Sequence, residues 1–252
     1  MKILVISDVH SNRQALEAVL GNEGSVDLLV FAGDIVDYGI DPVFTVDFFR
    51  TYNKPSCIVR GNHDDHLIRI FRSGEWKTVE GEDFKWVHHN CRLLDKNRVD
   101  FLDTLPYHIS FTADGYDYII QHQYDDKYGI VESPYAFDKY WDENWKGQGA
   151  DSAGRRLIFG HSHRQCVHIL QGDRMWLNPG SISYRRPDDP DKSAQYMVIE
   201  DGEILFKSCP YDRSVQKAEA DKYRLNGGMM KTEIQDFMFF FGDAKTSRDP
   251  LL

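Results

Sequence analysis

The chain alternates between short, uninterrupted apolar runs and longer stretches in which apolar residues recur every three or four positions. Residues 3–6, 28–31 and 57–59 are runs of the first kind, the pattern of strands covered on both faces in a parallel sheet. Helical patterns separate them. Ala15, Leu16, Val19 and Leu20 share one face of a helix that Ser11 can cap, and Pro42 opens a second through Phe44, Val46, Phe48 and Phe49. From about 65 to 105 the chain is polar and helical. Strands resume at 107–111 and 116–121, then at 157–159, 166–170, 175–177, 196–199 and 204–208, with Asp201-Gly202 as the hairpin turn between the last two. The segment 124–153, rich in aromatic and acidic residues, reads as an insertion after a strand: a lid or substrate wall able to stack a nucleobase, or simply local core. We expect one domain over 1–212 and a helical extension over 213–252. The aromatic run at 237–241 is costly to expose, so the extension should pack on the domain or on a second copy, making a homo-oligomer.

Size and charge narrow the function. A length of 252 residues suits one α/β domain with decoration and one main active site. The formal net charge of -10 argues against stable, non-specific nucleic-acid binding. A small phosphate ester can still bind where cations reverse the local field. No stretch is long and apolar enough to cross a bilayer, and the apolar start is too short for a signal peptide, so no membrane association and a cytoplasmic location are expected. Cys57, Cys91, Cys166 and Cys209 are scattered, as reduced thiols filling apolar space would be.

Five short motifs follow expected strands: Asp8-Val9-His10, Gly33-Asp34, Gly61-Asn62-His63-Asp64, Gln121-His122 and Gly160-His161-Ser162-His163. All therefore fall where an α/β sheet builds its ligand crevice, at the carboxyl ends of strands. Two divalent ions about 4 Å apart need a bridging carboxylate, neutral imidazoles and further oxygens. Asp8, His10 and His163 suffice for one ion; Asn62, His122 and His161 suffice for the other, with Asp34 bridging. The glycines before Asp34, Asn62 and His161 are expected to let the backbone turn sharply there.

With these motifs, in this order, the chain resembles the calcineurin-like metallophosphoesterase superfamily, and within it the small bacterial and archaeal phosphodiesterase-like members. The resemblance runs from Lys2 to about Asp212 and includes Ser7-Asp8-Val9-His10-Ser11-Asn12, Gly33-Asp34-Ile35-Val36-Asp37-Tyr38-Gly39, Val59-Arg60-Gly61-Asn62-His63-Asp64, Gly160-His161-Ser162-His163 and Leu177-Asn178-Pro179-Gly180-Ser181. It implies a four-layer α-β-β-α sandwich of two mixed sheets and the metal ligands given above. It also implies that His63 meets the substrate or leaving group, with Asp37 orienting it, although Asp37 could instead cap the helix at Pro42. Asn62, His63, Asn12 and Arg185 are the expected phosphate contacts, with Arg186 following Arg185, although the two arginines could equally be a solvated charge pair. Asn178-Pro179-Gly180-Ser181 is either an anion nest or a loop anchor. His88 and His89 read as surface or packing residues.

Three positions depart from the family pattern. Ser11 stands where Gly is usual after the first histidine, Gln123 where Gly follows the fifth-strand histidine, and Tyr38 where protein phosphatases carry a phosphate-binding Arg. The last counts against a phosphoprotein phosphatase. The expected chemistry is attack on phosphorus by a metal-bridging hydroxide, with Mn, Fe, Zn, Ni or Co as the cations. A nucleotide-like phosphodiester is favoured. A phosphomonoesterase or protein phosphatase-like activity is the alternative within the enzymes, and a non-catalytic binding scaffold the alternative outside them.

Overall fold

Ile3, Leu4, Val5 and Ile6 of strand β1 (Lys2–Ile6) are all fully buried, yet they serve two different cores. The computed structural model, which describes residues 1–125, 130–147, 152–183 and 192–241, shows why. Side chains alternate across a strand, so Leu4 and Ile6 meet helices on one face while Ile3 and Val5 meet a second sheet on the other. An apolar run without polar interruption is what that placement requires.

The first sheet has the order β10-β9-β1-β2-β3, with β2 (Leu28–Phe31), β3 (Ser56–Ile58), β9 (Ala194–Glu200) and β10 (Glu203–Cys209). Strands β1, β2 and β3 are parallel, and β9 returns antiparallel to both β1 and β10. The second sheet has the order β4-β5-β6-β8-β7, formed by β4 (His108–Ala113), β5 (Tyr116–Gln121), β6 (Arg155–Ile158), β7 (Gln165–Ile169) and β8 (Arg174–Pro179). Its centre is parallel and its edges antiparallel. Tyr118, Ile120, Ile158, Leu177, Met197 and Ile199 join Ile3 and Val5 between the sheets. Each such aliphatic side chain contributes about 1.5–3 kcal/mol by leaving water.

Helices α1 (Arg13–Glu23), α2 (Pro42–Thr51), α3 (Asn62–Ser73), α4 (Trp86–Leu93) and α5 (Lys96–Thr104) form one outer side, sharing a core with Leu4, Ile6, Phe31 and Val198. The other outer side is α6 (Pro134–Asn144), which lays Phe137, Tyr140 and Trp141 against Ile119, Leu157 and Trp176. The described rings of the 124–153 segment thus go mainly into a core layer and not onto a stacking platform; Tyr135 alone among the rings of α6 is exposed, at 79%. The architecture is α-β-β-α with two mixed five-stranded sheets.

The extension forms α7 (Ser214–Asn226) and α8 (Lys231–Phe240), which close on the chain's own body. Trp86 stacks on Phe237 at 4.4 Å, its indole N–H donates to the Glu233 carbonyl at 3.2 Å, and Phe239, Phe240 and Phe241 are buried. One expectation is corrected at α1. Its cap is Asn12, whose side chain accepts the Ala15 N–H at 3.1 Å, while the Ser11 hydroxyl turns away to Asn90.

Candidate metal centre

The strand ends bring the motif residues together. Asp8, His10 and Ser11 follow β1, Asp34 and Asp37 follow β2, Asn62 and His63 open α3 after β3, His122 follows β5, and His161 and His163 follow β6. The loops that carry them are strained. Eight of the ten described non-glycine residues with positive φ lie here: Asp8, His10, Ser11, Asp34, Asp37, Tyr38, His161 and His163. Such conformations cost energy and persist where surrounding contacts hold them. Asp64 supplies several of those contacts, because its buried carboxylate accepts N–H bonds from Asp34, Ile35, Val36 and Gly61 at 2.9–3.2 Å.

Not every motif glycine is a turn glycine. Gly33 has φ +92, but Gly61 is extended at φ -106. A Cβ on Gly61 would lie 2.0 Å from Asp34 Oδ1, and one on Gly160 would lie 2.0 Å from Ser7 Oγ and 3.0 Å from Asp8 Oδ2. These two are required because the strand ends crowd around the carboxylates, not because the backbone needs a left-handed conformation.

Two overlapping groups result. In one, His163 Nε2 lies 3.0 Å and His10 Nε2 3.8 Å from Asp8 Oδ1. In the other, Asp34 Oδ2 lies 3.1 Å from His122 Nε2, which is 2.9 Å from Asn62 Oδ1. Asp34 Oδ2 also lies 3.9 Å from His10 Nε2, so it stands between the two groups. His161 is half-buried, with its ring 5.2 Å from that of His122. The rear nitrogens are held by backbone: His10 Nδ1 is 3.3 Å from the Val36 carbonyl and His122 Nδ1 2.7 Å from the Ala32 carbonyl. That support leaves each Nε2 as the ligand atom.

The electrostatics fit a cation. Asp8 and Asp34 are fully buried, Asp8 Oδ2 accepts no hydrogen bond, and among the described residues neither carboxylate is paired with a lysine or arginine. Burial pushes His10 down to about 4 against the pull of Asp34, and burial with neighbouring His122 pushes His161 down to about 4, so both rings offer lone pairs. Burial also disfavours charge on His122, but Asp34 and Asp8 outweigh it and raise that ring to about 9. A proton there partly offsets charge that a divalent ion would neutralise more fully.

His63 stands beside this centre. Its ring is 5.0 Å from that of His10, its backbone N–H donates to Asp34 Oδ1 at 2.9 Å, and its Nδ1 is 3.0 Å from Asp37 Oδ2. Asp37 therefore pairs with His63, and the N-cap position of the Pro42 helix is held by Asp41, whose side chain makes no capping bond. Burial lowers His63, yet Asp34 and Asp37 prevail and raise it to about 9.

Other expected site residues sit elsewhere. Asn12 is fully buried, with Oδ1 used by Ala15 and Gln216 and Nδ2 donating to Tyr211, so its amide serves the helix start and not a phosphate. Arg185 and Arg186 lie outside the described residues. The turn at Asn178 is an anchor: the N–H groups of Gly180, Ile182 and Ser183 all donate within the protein, and Asn178 Nδ2 holds the Gly160 carbonyl at 2.6 Å. Ser181 and Ser183 tie down the Asp8 and Val9 carbonyls. His88 and His89 are buried packing residues, His89 with Nδ1 2.7 Å from the Tyr223 hydroxyl.

Beyond the motifs, the site depends on Asn90 and His66. The Asn90 side chain is fully buried; it accepts from Ser11 and from the Asp37 N–H and donates to the Gly39 and Trp86 carbonyls, clamping two metal loops. His66 Nδ1 is 3.2 Å from Asp37 Oδ2. A polar residue repeating one helical turn after His63 was a readable signal for His66; Asn90 had none.

Comparison with known proteins agrees with this geometry. The family model described as calcineurin-like phosphoesterase superfamily domain matches residues 1–201. An uncharacterized protein of Methanocaldococcus jannaschii, MJ0912, is 28% identical over 233 residues, covering 86% of this chain and 89% of its own. The fold is similar to a metallophosphoesterase from Sphaerobacter thermophilus, at TM-score 0.67 and 24% identity over 95% of this chain and 99% of that one. It is also similar to hypothetical protein PH1004 from Pyrococcus horikoshii, at TM-score 0.66 and 14% identity over 96% and 98%. The chain belongs to the calcineurin-like phosphoesterase superfamily and is a metal-dependent hydrolase of phosphate esters.

Proposed function

We propose that the chain uses two divalent cations to hydrolyse a small, nucleotide-like phosphodiester or phosphoanhydride in the cytosol. The observation that carries the substrate class is a cavity of about 280 Å³ next to the centre, lined by Arg60, Asn62, Tyr107, Gln121, His122 and Gln123. Two of these are centre residues, so an ester held there has its organic part beside its phosphorus. The volume is just below the roughly 300–1,000 Å³ of drug-sized ligand sites, which favours a small substrate over a protein segment. Gln123 lies on the wall of this cavity, where its amide can meet the edge of a base. The four cysteines are all free, which agrees with a reducing compartment.

Bound cations supply positive charge to the phosphate oxygens and acidify the attacking water. Asp8, His10 and His163 would hold one, Asn62, His122 and His161 the other, with the Asp34 carboxylate available to each. His63 keeps Nδ1 against Asp37 and presents Nε2, on the opposite edge of its ring, to the leaving oxygen as proton donor. The strained loops and the Asp64 and Asn90 clamps hold these groups in place before substrate arrives.

The test is a substrate panel on protein stripped with chelator and resupplied with Mn, Fe, Zn, Ni or Co. Cyclic nucleotides, dinucleotide polyphosphates and bis-p-nitrophenyl phosphate should be cleaved with higher kcat/KM than p-nitrophenyl phosphate, and Gln123→Leu should raise KM for nucleotides alone. Preference for monoesters across the panel would refute the diester reading, and full activity without metal would refute the mechanism.

A further inference from the structure

Asp37 is shared by two imidazoles. His63 Nδ1 and His66 Nδ1 lie 3.0 and 3.2 Å from the same Oδ2, and the three ligand atoms are all within 4.8 Å of one another. Donors around a tetrahedral zinc, at about 2.0–2.1 Å from the metal, stand roughly 3.3 Å apart. The 3.0 and 3.2 Å separations come within a few tenths of an ångström of that. The histidines are three residues apart at the start of α3, so they project from neighbouring positions of one helix face.

The surroundings suit an ion that comes and goes. Asp37 is 6% exposed, but the side chains of His63 and His66 are 22% and 36% exposed, so solvent reaches the two nitrogen ligands and water can fill the remaining position. Burial, and then the charge of Asp37, push the Glu233 carboxyl up, which puts a second acidic group from α8 in the field of this site. Three protein ligands with an open position is also the ligand count of catalytic zinc sites.

We propose that Asp37, His63 and His66 form a third, inhibitory site for a borderline divalent cation, zinc above all. This rests on the reading of His63 as proton donor. A cation on Nδ1 displaces the proton that Asp37 holds there to solvent, so the ring can no longer act as a doubly protonated imidazolium and its Nε2–H is a weaker acid toward the leaving oxygen. Two nitrogens and one oxygen select zinc over manganese by affinity order.

The experiment uses the full chain loaded with manganese and titrated with zinc chloride, beside His66→Gln and His66→Phe. Metal analysis after equilibrium dialysis should find one more zinc per chain in the unaltered protein than in either variant. Activity of the unaltered protein on bis-p-nitrophenyl phosphate should fall about a hundredfold as zinc rises, the cost of losing a general acid, and that fall should be absent from both variants. Equal zinc contents would overturn the third site. Equal inhibition in all three proteins would assign the effect to exchange at Asp8 and Asp34 and overturn the inhibitory role. If no ester is cleaved at all, the proposed function fails while the zinc count still decides the site.

Discussion

Strand β1 separates two buried carboxylate clusters that are built on opposite principles. At its amino end Glu23 is met by the Tyr196 hydroxyl at 2.6 Å, by Lys207 at 2.9 Å and by Lys2 at 3.0 Å, so the protein itself supplies the counter-charge. At its carboxyl end Asp8 and Asp34 are fully buried and meet imidazoles and the His63 backbone N–H, with no lysine or arginine paired to them among the described residues. A buried charge is tolerated when it is paired. The first cluster is complete as folded, and the second is complete only with an ion from outside. The contrast separates acidic residues kept for stability from those kept for chemistry.

Substitution by the neutral amide gives the sharpest test. Asp34→Asn should lower turnover about a thousandfold or more by removing a buried carboxylate of the metal centre, and added metal should raise the melting temperature of the parent well above its metal-free value but that of the variant hardly at all. If added metal stabilises the variant as much as the parent, the two clusters are alike and the comparison fails. His63→Asn should cost about a hundredfold in kcat, with metal content by elemental analysis unchanged. A loss of metal would place His63 among the ligands.

Glu23→Gln is the mirror image: full activity, but a loss of about 2–3 kcal/mol in urea unfolding from the broken buried pair. Its pH response sharpens the point. Burial would raise the Glu23 carboxyl, but Tyr196, Lys207 and Lys2 outweigh that and hold it down to about 2 against an ordinary value of 4.5. Its contribution is therefore whole above pH 4.5 and is lost as pH falls toward 2. Urea midpoints between those values should fall more steeply for the parent than for Glu23→Gln. The smallest effect belongs to Tyr135→Ser on the exposed face of α6, within about 0.5 kcal/mol of the parent and without change in KM; a raised KM would restore a substrate-wall role to that helix.

What could be read from the sequence follows the same division. Apolar runs ending in Asp, Asn or His gave the strands and the ligands together, because a parallel strand advertises its burial and its end advertises the crevice. Residues that act by tertiary convergence gave no such mark. Asn90 lies in a polar helix and meets Ser11 across 79 positions; Glu23 meets Lys207 across 184. Asn12 was expected as a phosphate contact, but helix capping and bonds to Tyr211 and Gln216 engage its amide. Gly33 turns as expected, but Gly61 and Gly160 were recognised for the wrong reason, since the crowding that excludes a Cβ there exists only once the strand ends meet.

The tail has a consequence of its own. It lies beyond the stretch common to the family, yet Tyr38, whose ring is 5.0 Å from that of His63, leans on the cluster that α8 builds with Trp86. Substitutions in that last helix can therefore shift Tyr38, and with it the setting of His63, without touching a single ligand. A segment outside the family model thus bears on the histidine at the edge of the centre.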